Sequence, residues 1–166
     1  MTISPEQIIR AFQLLPHPEG GHYREIFRSA DTVQTTDGRG TRSALTLIHF
    51  LLCQGETSAW HKVLSDETWH WRGGSPLELW LMDPDMQTAH QQIIGPLGEA
   101  ASVSTYVVPA RWWQAARPVG GWSMVECAVA PGFDFADFTM LRDDPAASAL
   151  PRDKYPRLAA FLGKSV

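Results

Sequence analysis

The stretch SAWHKVLSDETWHWRGG, residues 58–74, carries the pattern on which the fold prediction rests. Two short runs of strand-forming residues, 59–63 and 67–71, flank the turn-forming segment Leu64-Ser65-Asp66. Side chains alternate between the two faces of a strand, so His61 and Val63 share a face. The stretch therefore predicts two strands joined by a tight turn. It leaves open whether His61, Glu67 and His70 form a metal site, an acid/base site or ordinary core and surface.

The same pattern continues along most of the chain. Short apolar or alternating runs are separated by clusters of turn-forming residues; the runs span 22–29, 42–52, 59–63, 67–71, 77–82, 89–95, 104–110 and 122–130. Many short strands at this spacing are typical of a closed barrel or a double-sheet jelly roll. A parallel α/β sheet would require helices between the strands, and the intervening segments show no helical pattern.

Short helices are expected at the two ends of the chain. Ser4 can cap a helix that has Pro5 in its first turn and Gln7 completing a capping box. Ile8 then begins an apolar face with helical spacing. A second short helix is predicted at 156–162. The 166 residues suit one domain, 1–166, with the barrel at about 20–141.

Composition and charge exclude several classes of function. The net charge is -4, whereas a phosphate-binding surface is usually basic, so we expect no nucleic-acid partner. Apolar runs are too short to span a membrane, and the N-terminus does not resemble a signal peptide. Cys53 and Cys127 are expected to be free thiols in a reducing, cytoplasmic setting.

The spacing of five residues in this region resembles the first motif of the cupin superfamily. Gly55, His61, Val63, Glu67 and Gly74 occupy the motif positions, with Val63 where many cupins have a metal-binding histidine. The segment 109–114 resembles the second motif and ends in a glutamine where that motif has a histidine. Four further segments resemble the cupin-5 family, a domain family without an assigned reaction: HPEGGHYRE (17–25), WHKVLSDETWHW (60–71), VVPARWWQAA (107–116) and VECAVAPGFDFADF (125–138).

This resemblance implies an all-β, cupin-type double-stranded β-helix, or jelly-roll, barrel. It also implies that the barrel holds a small ligand, of which a carbohydrate is one example. It also implies a homodimer. The aromatic content supports the same assembly, because Trp112, Trp113 and Trp122 add to a set that exceeds what a small barrel interior can hold.

Candidate site residues follow from the motif and from strand parity. His61 and Glu67 are the catalytic candidates, with His61 moving a proton and Glu67 orienting it. Ligand-binding candidates are Trp69 as a flat wall and Gln114 as a holder of an oxygen atom. Tyr23 and Glu25, which share a face of the first barrel strand, complete the set; His70 has the opposite parity and is expected outside the barrel, and Asp134 and Asp137 are expected to brace a turn.

A tightly bound metal is not expected, because the two motif positions offer valine and glutamine instead of imidazoles. If a divalent metal were present, its ligands would be His61, Glu67 and Gln114. No other cofactor is indicated.

The sequence leaves three functions open. The first is acid/base chemistry on a small polar metabolite, such as the isomerisation or epimerisation of a sugar-like carbonyl compound. The second is a non-catalytic module that binds a small ligand in the same pocket. The third is a metal-dependent cupin enzyme, which the residues at the two motif positions disfavour.

Overall fold

A helix with a complete N-terminal capping box begins the chain. The computed structural model describes residues 3–98, 102–144 and 154–163. Helix α1 spans Pro5–Phe12; the Gln7 amide donates to Ser4 Oγ at 3.3 Å and the Ser4 amide donates to Gln7 Oε1 at 2.8 Å. Its apolar face buries Ile8 against Leu51 and Met124, so the helix covers the outside of one sheet.

Fourteen strands are described, and twelve of them form two six-stranded sheets. They are β1 (Leu15–Pro16), β2 (His22–Arg28), β3 (Thr32–Gln34), β4 (Thr41–Ser43), β5 (Thr46–Cys53), β6 (Ser58–Val63), β7 (Asp66–Gly74), β8 (Leu77–Met82), β9 (Ala89–Ile94), β10 (Ser102–Val103), β11 (Thr105–Val108), β12 (Trp113–Pro118), β13 (Trp122–Ala130) and β14 (Phe138–Met140). The first sheet has the order β1-β2-β5-β13-β7-β11 and the second β10-β9-β8-β12-β6-β14. This arrangement confirms the all-β jelly-roll barrel.

The main core lies between the two sheets. Phe50, Leu52 and Trp69 of the first sheet pack with Leu79 and Leu81 of the second, and all five are buried. Strand β13 occupies the centre of the first sheet, where it pairs with β5 on one side and β7 on the other. Three strands that are distant in sequence thus form the wall behind the cavity described below.

The predicted run 42–52 is divided in the structure. Strand β4 pairs with β3 in a separate two-stranded hairpin, and β5 begins only at Thr46. The hairpin is attached to the barrel because Asp137 accepts hydrogen bonds from Arg39 at 2.9 Å and from Arg42 at 2.8 Å. This contact confirms that Asp137 braces a turn.

The C-terminal segment covers the outside of the second sheet. Pro156–Leu162 is helical as expected but is a 3-10 helix, whose Leu158 and Phe161 pack on Trp60 and Trp113. Trp60 Nε1 donates to the Leu158 carbonyl at 3.1 Å.

The tryptophans proposed as surplus surface aromatics are mostly inside. Trp113 is buried, and Trp112 and Trp122 are half-buried against core clusters. The sequence-based reason for a dimer is therefore wrong, because the C-terminal 3-10 helix and α1 supply packing surfaces that the barrel pattern does not include.

Both cysteines are free thiols, as predicted, with Cys127 buried and Cys53 half-buried. Among the described residues, every helix is too short or too polar to cross a lipid bilayer.

Candidate functional site

A cavity of about 480 Å³ opens at one end of the barrel. It is bounded by β2, the start of β5 and β7, the second half of β6, the end of β13 and the start of β14, together with two non-strand segments. The lining residues are His17, Glu19, Tyr23, Glu25, Arg28, Thr46, Ile48, Phe50, His61, Val63, Glu67, Cys127, Val129, Phe133, Asp134, Phe135 and Phe138. Four of the six residues singled out from the sequence, His61, Glu67, Tyr23 and Glu25, line it.

His61 lies in the middle of β6 and is buried. Its Nδ1 is 2.8 Å from the Ala59 carbonyl oxygen, which can only accept, so Nδ1 carries the proton. The lone pair is then on Nε2, 3.3 Å from Glu19 Oε2. Burial lowers the pKa of His61, against the opposing charge of Glu67, so the ring is neutral at neutral pH.

Glu19 is the nearest carboxyl group to His61 Nε2 in this arrangement, and the sequence did not predict it. A turn between β1 and β2 presents it, and its backbone carbonyl accepts from the Ala59 amide at 2.8 Å. Its Oε1 accepts from Ser58 Oγ at 2.8 Å. Burial raises the pKa of Glu19 to about 8, although the Ser58 hydrogen bond acts in the other direction. Glu19 is therefore a neutral acid at neutral pH.

A second imidazole flanks the same carboxyl group. His17 Nδ1 is 3.4 Å from Glu19 Oε2 and accepts from the Glu19 amide at 3.3 Å. Burial, and next the proximity of His61, lowers the pKa of His17 to about 3. The carboxyl proton of Glu19 thus faces two imidazole lone pairs, one on His17 and one on His61.

Glu67 is the second buried carboxyl group of the cavity. Burial raises its pKa to about 7; His61 and the hydrogen bond from Gln114 oppose that rise, and Glu19 reinforces it. Gln114 Nε2 donates to Glu67 Oε2 at 2.5 Å. Burial, and next the charge of Glu67, raises the pKa of the neighbouring Cys127 thiol. Glu67 therefore changes its charge near neutral pH.

Trp69 and Gln114 lie behind the cavity wall. Neither is among the described residues that line the cavity. Trp69 Nε1 donates to Gln114 Oε1 at 2.8 Å, and Gln114 in turn donates to Glu67. Both the oxygen and the nitrogen of the Gln114 side-chain amide are hydrogen-bonded within the protein, and through the nitrogen Gln114 supports Glu67. The ligand contact predicted for Trp69 and Gln114 stays a prediction.

A bulge in β2 changes which residues face the cavity. The register between β2 and β5 shifts between Glu25 and Phe27, and Arg28 then joins Glu25 in the cavity lining. Arg28 donates two hydrogen bonds to the Glu25 carboxylate, at 2.7 and 2.9 Å, and one to the Phe133 carbonyl at 3.1 Å. Arg28 thereby forms part of a polar rim.

Aromatic side chains form the opposite side of the mouth. Phe133, Phe135 and Phe138 pack edge to face, with ring centroids 5.0–6.1 Å apart, and Phe138 stacks on the His61 ring at 5.4 Å. Asp134 holds this segment by accepting from the Ala136 amide at 2.8 Å, as expected of a turn-bracing residue. A neutral acid, a neutral base and an apolar wall thus meet in one cavity.

His70 faces away from the cavity, as its parity predicted. Its Nδ1 is 2.6 Å from Thr105 Oγ1 on the outer side of the first sheet.

The fold and this cavity define a small single-barrel cupin. The chain matches the family described as Cupin superfamily (DUF985) over residues 6–141, and it belongs to that family.

Proteins from distant organisms are similar over nearly their whole length. The chain is 28% identical to the uncharacterized protein YML079W of Saccharomyces cerevisiae, over 96% of this chain and 86% of that one. A hypothetical protein from Leishmania major has a similar structure, with a TM-score of 0.82 and 32% identity over 96% and 97% of the two chains. Protein SO0799 from Shewanella oneidensis has a TM-score of 0.81 and 28% identity, over 99% and 100%.

The residues at the usual cupin metal position do not fit a metal cage. The amide oxygen of Gln114 already accepts from Trp69, and Glu67 Oε2 accepts from Gln114. Within the described ranges, His22, Cys53 and Glu56 place their ligand atoms close enough together to hold an ion, and these residues lie outside the cavity. The groups in the cavity that can carry out chemistry are therefore the carboxyl groups of Glu19 and Glu67 and the imidazole of His61.

Proposed function

We propose that the cavity binds a small polar, sugar-like metabolite and moves a proton on it, as an isomerase or epimerase does. The observation that carries this proposal is the Glu19 carboxyl group, which remains an acid up to about pH 8 and faces the unprotonated Nε2 of His61. An acid and a base whose environments keep both neutral can exchange protons with a ligand near pH 7.

In the proposed cycle, His61 Nε2 accepts a proton from a carbon next to a carbonyl group, while Glu19 donates its proton to the developing oxyanion. In the second half, protonated His61 delivers its proton to the former carbonyl carbon and ionised Glu19 takes the proton of the neighbouring hydroxyl group, so the carbonyl group moves by one carbon and both residues return to their neutral states. Ser58, which donates to Glu19 Oε1, stabilises the carboxylate in the intermediate state. Glu67, with a pKa of about 7, is available to return a proton from another side.

The cavity wall supports this class of ligand. Phe135 is 54% exposed at the mouth, and a half-exposed ring can stack against the apolar face of a sugar or of another planar compound. The carboxyl groups and Arg28 offer hydrogen-bond partners to hydroxyl and carbonyl oxygens. The alternative proposal, a binding module, uses the same contacts without turnover.

The test begins with a pool of small metabolites incubated with the protein and analysed by mass spectrometry for bound and converted compounds. His61→Gln keeps a polar side chain but cannot carry the proton, so we expect turnover to fall at least about 100-fold, the lower range for a general base. Glu19→Gln should show a similar loss. His90→Gln, at an exposed histidine on β9, is the matched control and should leave turnover unchanged.

Equal turnover in wild type and His61→Gln would reject His61 as the base. If ligand affinity changes in both His61→Gln and Glu19→Gln but no product forms with any of the proteins, the protein is a binding module. Turnover that a chelator abolishes would instead favour the metal-dependent alternative.

We also propose that the protein is a homodimer in a reducing compartment such as the cytoplasm. The support for a dimer is a groove on the outer face of the first sheet, where Phe12 and Ile26 are exposed beside His49. Both cysteines as free thiols support the compartment.

A further inference from the structure

Three ligand-bearing side chains meet on the outer face of the first sheet, at the end of the barrel away from the cavity mouth. His22 begins β2, Cys53 ends β5, and Glu56 lies in the turn that leads to β6. One ligand atom from each residue lies within 4.8 Å of the other two. We propose that His22, Cys53 and Glu56 form a zinc-binding site.

The turn that contains Glu56 is built so that its carboxylate faces Cys53. The Glu56 amide donates to the Cys53 carbonyl at 2.9 Å, and Gly55 has a φ of 83°, which closes the turn. Glu56 Oε2 accepts from the Cys53 amide at 2.8 Å. The neighbouring Gln54 amide donates to the Gly121 carbonyl at 2.7 Å, which fixes the turn to the barrel.

The second carboxylate oxygen points to His22. Glu56 Oε1 is 3.8 Å from His22 Nδ1, which is too far for a direct hydrogen bond. His22 Nδ1 is itself buried, and among the described residues it has no hydrogen-bond partner. A buried polar atom without a hydrogen-bond partner lowers the stability of the fold by about 1–3 kcal/mol, and a bound ligand at this nitrogen would remove that cost. A cation held between Nδ1 and Oε1 satisfies both atoms.

The donor set favours zinc over harder ions. A thiolate, an imidazole and a carboxylate are the three ligand types that Zn²⁺ takes in proteins, at about 2.0–2.3 Å, with water in the fourth position. Ligand atoms within 4.8 Å of one another need to approach by only about 1 Å to reach such distances.

A metal here would add side-chain bonds between the start of β2 and the turn from β5 to β6. His22 and Cys53 belong to adjacent strands of the first sheet, whereas Glu56 leads into the second. Cys53 also packs against the cluster under helix α1. Zinc bound to the folded state would therefore stabilise the closed end of the barrel by mass action.

The test uses purified full-length protein, stripped of metal, and zinc itself as the probe. We expect one equivalent to bind by calorimetry and to raise the melting temperature. Cobalt added in place of zinc should produce the near-ultraviolet charge-transfer band of a thiolate ligand. Cys53→Ser should remove that band and weaken zinc binding by more than about 100-fold, since loss of outer-shell partners alone costs about 10- to 100-fold.

Glu56→Gln provides a second variant if Cys53→Ser folds poorly, and it should weaken zinc binding while keeping the thiolate band. His61→Gln and His90→Gln are controls that should bind zinc as wild type does, which separates this site from the cavity. Equal zinc affinity in wild type and Cys53→Ser, absence of the thiolate band, or loss of zinc binding in His61→Gln would each overturn the proposal.

Discussion

Glu19 places an ionisable carboxyl group between two imidazoles in the wall of the cavity. Burial lowers the pKa of His17 and His61 and raises that of Glu19, so the three groups are all neutral near pH 7. Ionising any one of them alone inside the barrel has a desolvation cost. The proposed cycle ionises His61 and Glu19 together, and their opposite charges, 3.3 Å apart, stabilise each other. The same environment makes folding depend on pH.

We predict that Glu19→Gln reduces the pH dependence of stability. A carboxyl group whose pKa rises on folding, here to about 8, stabilises the native state fully below its unfolded pKa of about 4.3. That stabilisation is lost as pH rises toward 8. The wild type should therefore lose about 3–4 kcal/mol more than the variant between pH 5 and pH 8, measured by urea denaturation.

Glu25→Gln is the control for that measurement, because Glu25 lines the cavity but is exposed and paired with Arg28. It should follow the wild-type slope. Parallel curves for wild type and Glu19→Gln would show that Glu19 is ionised in the folded protein.

A second prediction concerns Gln114, which hydrogen-bonds both Trp69 and Glu67. Gln114→Leu leaves the Trp69 N–H without its acceptor and Glu67 without its donor, so stability should fall by about 2–4 kcal/mol. The pKa of Glu67 should rise further, since the Gln114 hydrogen bond lowers it. Denaturation and carboxyl ¹³C NMR measure the two effects.

Gln91→Leu, at an exposed glutamine on β9, should change stability by no more than about 0.5 kcal/mol. A Gln114→Leu protein with wild-type stability would mean that Glu67 and Trp69 find other partners.

Strand parity explains which site residues could be predicted. His61 and Glu67 lie on regular strands, so a period of two places them in the cavity. Trp69 has the same parity as Glu67, but it lies deeper between the sheets, and parity carries no information on depth. Glu19 lies in a turn, where no periodicity applies, and its signal was only the PEGG segment that surrounds it.

At the scale of single elements, irregularities in the strands limit prediction in the same way. The bulge in β2 reverses parity after Glu25 and brings Arg28 to the cavity, whereas strict alternation from Glu25 would place Arg28 on the outer face. Ala44 and Leu45 interrupt the run 42–52, although its apolar residues continue. The strands themselves could be predicted because their composition alternates; a one-residue insertion leaves no mark in composition.

The turn before β2 provides an element-scale prediction. Gly20 has a φ of 111°, and a Cβ at this position would overlap the Thr57 carbonyl oxygen. Gly20→Ala must therefore displace the turn that holds Glu19. We expect the free energy of unfolding, measured by denaturation, to fall by more than about 3 kcal/mol. A positive φ alone would lower it by about 1 kcal/mol.

Gly38→Ala is the matched comparison, because Gly38 also has a positive φ of 84° but its Cβ would meet no atom within 4 Å. The free energy of unfolding of Gly38→Ala should fall by only about 1 kcal/mol. Equal losses in the two variants would show that Thr57 does not restrict the turn.

At the scale of the whole molecule, the proposed homodimer predicts a solution mass of twice the chain. Ile26 is 40% exposed and lies beside Phe12 in the groove on the outer face of the first sheet. Ile26→Asp places a charge in the proposed interface and should yield a monomer by light scattering. Val119→Asp, in the exposed turn between β12 and β13, should remain a dimer; a wild-type monomer at every concentration would reject the proposal.

The central position of β13 also governs how the chain can mature as it is synthesised. Strands β5 and β7 acquire their shared neighbour only when residues 122–130 have left the ribosome, and β6 gains β14 later still. With synthesis at about 5–20 residues per second, both edges stay open for several seconds. A nascent chain halted before Trp122 exposes Phe50 and Trp69 together with unpaired strand edges, and exposed apolar surface with open edges is what makes an incomplete chain prone to aggregation.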